Sequence, residues 1–265
     1  QVDAMVALLS QGRHKELHQQ TALLANTFPR AGILYNLQGA SFAAVERYAE
    51  AVEVLQKAVR VQPTNAEAHS NLGNALQSLG KTDAAIEAFK NAIKYEPGFA
   101  AAHNNLGNAY GSKGNLVHAL ECYEKALKYR PHYADAYKNQ AIALINSGEF
   151  DRAVDSIEQN ARINPEDIGS QIQVANLLRK NERYNEAIVC LDRVLKLDPD
   201  NADALASRGN SLNEVGRIED GKADILRALE IDSTHPAASL QYCLANKMKE
   251  DDPRTKSILK NLGEN

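Results

Sequence analysis

Apolar residues recur every three or four positions along this chain, in short runs that each end on glycine or proline. Across Ala66–Leu79 the spacing predicts an amphipathic helix, stopped by Gly80. The next run, "DAAIEAFKNAIKY" (Asp83–Tyr95), repeats the helical period, and Pro97 closes it. These two helices form one copy of a unit that recurs along the chain. Pro29, Pro63, Pro97, Pro131, Pro165 and Pro199 stand 34 residues apart. A small residue keeps the same period at Gly39, Gly73, Gly107, Ala141, Ala175, Gly209 and Cys243, and so does a column at Ala51, Ala85, Ala119, Ala153, Ala187 and Gly221. A second alanine column holds at Ala58, Ala92, Ala126 and Ala228, and lapses at Asn160 and Val194. A turn column runs through Gly12, Gly80, Gly114, Gly148 and Gly216, with Glu46 and Asn181 read as its departures.

The columns have a physical reading. Two antiparallel helices approach closely only where a small side chain faces the partner, as at Gly73 with Ala85 and at Gly107 with Ala119. Leu72, Leu76 and Phe89 fill the space around them. No unit of this size buries its apolar face alone, so the units stack. The expected fold is all-α: a solenoid of stacked antiparallel helix pairs. Its units are residues 1–31, 32–65, 66–99, 100–133, 134–167, 168–201 and 202–235, and 236–265 forms capping helices or a lead-in to a further domain. Within that last segment the expected helices are Pro236–Met248 and Arg254–Leu262.

The run "HNNLGNAY…HALECYEKALKYRP" (His103–Pro131) resembles the tetratricopeptide repeat family, whose period is 34 residues with Leu-Gly, Tyr, Ala, Phe and Pro landmarks. The resemblance extends over most of the chain. Gln38, Gln140 and Arg208 depart from the leucine seen at Leu72 and Leu106, and looser packing is expected there. The family fold implies a right-handed α-solenoid in which the first helices of successive units line a concave face. On that face Asn71, Asn105 and Asn139 form one column, continued by Gln173, and Asn74, Asn108, Asn176 and Asn210 form a second. A side-chain amide both donates and accepts, as a peptide backbone does. Amides at repeat spacing are therefore suited to holding an extended chain without reading much of its sequence. The first column is similar to the asparagine ladder in the repeat superhelix of O-linked N-acetylglucosamine transferases, which implies peptide contact through Asn71, Asn105, Asn139 and Gln173. The second column carries an alternative role, joining neighbouring units. Lys138 and Arg179 add charge to the same face, opposed by Glu67, Asp135, Asp203 and Glu214.

Charge and composition narrow the partner. A net charge of −4 over 265 residues argues against nucleic acid. No apolar run approaches the ~20 residues of a membrane span. Three sparse cysteines, Cys122, Cys190 and Cys243, read as apolar fillers in a reducing compartment, so a cytoplasmic location is expected. His14 and His18 lie four apart with no completing ligand and read as an exposed surface pair; His69 and His103 read as packing residues. "LGKT" (Leu79–Thr82) lacks the first glycine and the strand of a phosphate loop. No nucleophile–base pair or convergent carboxylate pair stands out. The expectation is a non-enzymatic scaffold, with no cofactor and no metal, that binds a protein or extended peptide. Two rival readings stay open. One is self-association. The other is a recruiting module of a larger transferase, since "HP…DDP" after His235 is similar to the lead-in of bacterial repeat-containing sulfotransferases, and the chain begins at Gln1 without an initiator methionine.

Overall fold

The computed structural model describes residues 2–245, and every regular element among them is an α-helix. The chain divides into two compact units, Gln1–Ala143 and Leu144–Asn265. In the first, the helices are α1 (Val2–Ser10), α2 (His14–Thr27), α3 (Gly32–Ala44), α4 (Tyr48–Val61), α5 (Ala66–Ser78), α6 (Thr82–Tyr95), α7 (Ala100–Ser112) and α8 (Leu116–Tyr129), followed by the start of α9 (Ala134–Ser147). The second contains α10 (Phe150–Ile163), α11 (Ile168–Lys180), α12 (Tyr184–Leu197), α13 (Ala202–Glu214), α14 (Ile218–Ile231) and α15 (Pro236–Ala245). The expected helix Arg254–Leu262, and the end of the one expected over Pro236–Met248, lie outside the described residues.

Consecutive helices pair, as α3 with α4, α5 with α6 and α7 with α8, and each pair packs on the next. First helices of successive pairs also meet directly, α1 with α3, α3 with α5 and α5 with α7, so they share one continuous face in that unit. In the second unit α11 pairs with α12 and α13 with α14, while α15 covers α13 and α14. This is the all-α solenoid of stacked helix pairs.

Close packing explains the small-residue column. A Cβ built on Gly73 would lie 2.5 Å from Phe89 Cε1, and one on Gly107 would lie 2.5 Å from Tyr123 Cε1. The rings of α6 and α8 therefore rest directly on the backbone of their partner helices. Phe89, Leu55, Leu191 and Ile225 are each at most 2% exposed. Burying a side chain of this size stabilises by roughly 1.5–3 kcal/mol. Arg208 and Gln140 are not loosely packed, contrary to expectation. Gln140 is buried, and Arg208 is held by Asp224 Oδ2 at 2.7 Å and Asp192 Oδ1 at 2.6 Å. A guanidinium replaces the leucine because two carboxylates from the flanking second helices neutralise it.

The turn column falls one residue away from the expected departure at Asn181. Residues with left-handed backbone are Gly12, Glu46, Gly80, Gly114, Gly148, Glu182 and Gly216, with φ between 60° and 83°. Glu182, not Asn181, thus occupies the column. Three helices after the longer connections start on a side-chain cap: Asn65 Oδ1 accepts from Ala68 N at 2.9 Å, Asp167 Oδ1 from Ser170 N at 3.1 Å, and Asn201 Oδ1 from Ala204 N at 3.0 Å. His235 holds the same place before α15 and caps with its ring, Nδ1 accepting from Ala238 N at 3.2 Å. Its proton therefore sits on Nε2, which donates to Asp203 Oδ1 at 3.0 Å.

Candidate functional site

The first helices present the amide columns. In the first unit, each asparagine of the first column turns its NH2 toward the preceding helix pair. Asn71 Nδ2 donates to Asn36 Oδ1 at 2.9 Å, Asn105 Nδ2 to Asn74 Oδ1 at 2.8 Å, and Asn139 Nδ2 to Asn104 Oδ1 at 3.0 Å. The acceptors Asn36 and Asn104 are 1% and 4% exposed, while Asn71, Asn105 and Asn139 remain half-buried. Asn105 Oδ1 also accepts from Asn104 Nδ2 at 3.3 Å. Among the described residues, Oδ1 of Asn71 and of Asn139 accepts no side-chain hydrogen bond. Each of these hydrogen bonds fixes its amide in one orientation.

Other members of the columns are engaged by neighbouring side chains or buried. Asn108 Oδ1 accepts from the hydroxyl of Tyr123 at 2.8 Å, tying α7 to α8. Asn74 is exposed but its oxygen is used by Asn105. In the second unit Asn176 Oδ1 accepts from Ser207 Oγ at 2.9 Å. Asn210 was expected on the open face; it is 6% exposed and its Oδ1 has no partner. Gln173 is exposed. Arg179 is half-buried with Nε unpartnered, and Lys138 is half-buried, 3.7 Å from Asp135. Across the two columns Asn74 and Gln173 are exposed, Asn71, Asn105, Asn139, Asn108 and Asn176 are half-buried, and Asn210 is buried.

Asn36 and Asn104 were passed over in the sequence because they stand one residue before the column. Their signal is an offset of 35 rather than 34, which pairs Asn36 with Asn71 and Asn104 with Asn139.

The histidines are engaged rather than merely packed. His69 Nε2 lies 2.8 Å from Pro63 O, and His103 Nε2 lies 2.9 Å from Pro97 O; a carbonyl only accepts, so each ring donates. The rings stack on Tyr95 and Tyr129, each with 5.5 Å between centroids. Gln171 repeats the bond from the same place in the second unit, Nε2 to Pro165 O at 3.4 Å. Burial pushes the His103 ring below the usual imidazole range. His14 and His18 are not the exposed pair expected. Both are half-buried; His14 Nδ1 is 2.9 Å from Ser41 Oγ, and the His18 ring lies 4.1 Å from that of Phe42. Burial pushes the Cys122 and Cys190 thiols up to about 11, as suits apolar fillers. Among the described residues no group of three or more metal-ligating side chains comes together, and no helix is long and apolar enough to cross a membrane.

Comparisons with known proteins agree with this architecture. A family model described as the cilia and flagella-associated protein 70 C-terminal domain matches residues 64–257, and one described as TPR repeat matches residues 39–80. No curated protein matches the chain. Among solved structures, the C-terminal part of a TPR repeat-containing protein from Cytophaga hutchinsonii has a TM-score of 0.71 at 15% identity, covering 90% of this chain and 98% of that one. YrrB, described as a TPR protein with an unusual peptide-binding site, has a TM-score of 0.58 at 22% identity, covering 72% of this chain and 98% of that one. A chain of the APC/C hetero-tetramer Cut9–Hcn1 has a TM-score of 0.63 at 16% identity and 91% coverage of this chain, which spans 48% of that chain's length. Proteins built on this repeat generally mediate protein–protein interaction. The chain belongs to the tetratricopeptide repeat family described as the cilia and flagella-associated protein 70 C-terminal domain.

Proposed function

We propose that the chain is a scaffold that holds an extended peptide or partner segment against its first helices, gripping backbone through accessible side-chain amides. The observation that carries this reading is the orientation of Asn71, Asn105 and Asn139. Each is anchored by its NH2 to the preceding pair and keeps hydrogen-bonding capacity beyond that bond. This would be a ladder of the kind the sequence resembles, with Gln173 as a further amide and Lys138 and Arg179 adding selectivity for charge. Seven repeats over 1–235, with 236–265 as cap or lead-in, would form the scaffold. A cytoplasmic setting goes with the same proposal.

The test compares binding to an array of unrelated extended peptides by wild type and by the Asn71→Ala/Asn105→Ala/Asn139→Ala variant. Removing the amides strands the buried oxygens of Asn36 and Asn104, at about 1–3 kcal/mol for each stranded group. Binding is therefore read at a temperature where circular dichroism shows the variant folded. Broad, weak binding by wild type and at least a tenfold loss in the folded variant is the expected result. Equal binding by both would sink the ladder and leave these asparagines as parts of the fold.

A further inference from the structure

A second surface of the first unit stands apart from the amide face. It is the edge where the second helices end and the proline-bearing loops begin. There the last residue of α4, of α6 and of α8 is large, apolar and partly exposed: Val61 at 36%, Tyr95 at 38% and Tyr129 at 48%. The residue before each is a cation, Arg60, Lys94 or Lys128. Across the last helical turns and loops 58–65, 92–99 and 126–133, four cations (Arg130 is the fourth) face one carboxylate, Glu96. None of the four cations is in an ion pair among the described residues. The neighbouring acids on the flanking helices are Glu67, Glu124 and Asp135, the last 3.7 Å from Lys138.

The rings on this edge are fixed from behind. Pro63 O holds His69, which stacks on Tyr95; Pro97 O holds His103, which stacks on Tyr129. A Cβ built on Gly98 would come within 3.6 Å of Tyr129 Cδ1, so the loop before α7 lies flat beside that ring. Cations sit against the aromatics, Lys94 Nζ 5.5 Å from the centroid of Tyr95 and Arg130 Cζ 4.9 Å from that of Tyr133. A single cation per helix end is explained by the helix dipole. The dipole does not explain a partly exposed apolar residue beside each one. Rigid aromatic surface with unpaired cations at its margin is the composition of a recognition surface rather than of a solvated edge.

We propose that this loop edge is a second docking surface, and that it takes an acidic, apolar-bearing segment of a partner protein. Carboxylates of the segment meet Arg60, Lys94, Lys128 and Arg130, and its apolar side chains lie on Val61, Tyr95 and Tyr129. The surface uses none of the amide residues, and its occupancy is independent of the ladder.

The experiment measures fluorescence anisotropy of a labelled peptide of about a dozen residues, made of alternating glutamate and leucine, against the full chain. Lysine–leucine and single-stranded oligonucleotide probes serve as controls. Lys94→Glu/Lys128→Glu reverses charge at exposed positions without touching the core. Tyr95→Ser/Tyr129→Ser removes the rings and is read only after its fold is checked. The expected result is binding of the acidic peptide, weakened by added salt, reduced at least tenfold in the lysine variant, and unchanged in the Asn71/Asn105/Asn139 variant. No binding of the acidic peptide, equal binding of the lysine–leucine probe, retention in the lysine variant, preference for the oligonucleotide, or loss in the asparagine variant would each overturn the proposal.

Discussion

Glu46→Gly and Glu182→Gly should each stabilise the protein, although both remove side chains. The two glutamates have φ of 60°, in the left-handed region where the other five members of the turn column are glycine. The backbone around them is the same as in the glycine copies. Glu46 N donates to Ala43 O at 3.1 Å and Arg47 N to Phe42 O at 2.9 Å; in the glycine copy Gly80 N donates to Gln77 O and Lys81 N to Leu76 O, both at 2.9 Å. Only the Cβ differs. Holding an L-residue with a Cβ in this region costs roughly 1–2 kcal/mol. The extra freedom glycine loses on folding returns roughly 0.5–1 kcal/mol of that. A net gain of about 0.5–1 kcal/mol per site follows, which for a chain of this size is a melting shift of about 1–4 °C. The reciprocal change isolates the cause. A Cβ on Gly114 would meet nothing within 4 Å, so Gly114→Ala loses stability through backbone strain alone, without a packing clash. Urea midpoints of the three variants, compared by circular dichroism, provide the assay. Unchanged or lowered stability in both glycine variants, together with a neutral Gly114→Ala, would refute the reasoning.

Two further outcomes follow from buried polar groups. Arg208→Leu restores the leucine column but strands Asp224, which is 8% exposed, and should cost about 3 kcal/mol; adding Asp224→Ala should recover most of that loss, as measured by denaturant midpoints. For His103, burial lowers the folded-state pKa below the unfolded 6.5, so the unfolded chain binds more protons and stability falls as pH drops below that value. His103→Gln keeps a donor for Pro97 O, as Gln171 does for Pro165 O, and should flatten the loss of melting temperature between pH 7.5 and pH 5.5; an equal slope in variant and wild type would rule out His103 as the source.

The helix pairs were legible because their determinants repeat. Gly73 and Gly107 sit where rings press on backbone, and nothing larger fits, so the spacing reports the packing directly. Glu182 was missed because glutamate carries no conformational signature of a left-handed turn; only the glycines on either side in the column show that the position is special. Arg208 read as a defect because its partners, Asp192 and Asp224, are each 16 residues away and on different helices. The division of labour among the asparagines was hidden for a similar reason. An amide's role depends on which neighbour lies opposite, and the offsets of 31 and 35 residues that join Asn105 to Asn74 and Asn71 to Asn36 do not fall on the repeat period.

Those offsets have a consequence for how the chain is made. Asn71 reaches back 35 residues to Asn36, Asn139 back 35 to Asn104, and Arg193 back 35 to Glu158. Every such clasp closes on a segment already synthesised, and none waits for a residue much beyond the next helix. At about 5–20 residues per second, a nascent chain completes each clasp roughly 2–7 s after its acceptor emerges. Folding can therefore keep pace with translation, each new helix pair finding its template in the one before it. Lengthening the protein by a whole repeat would add one more clasp and leave the earlier ones in register.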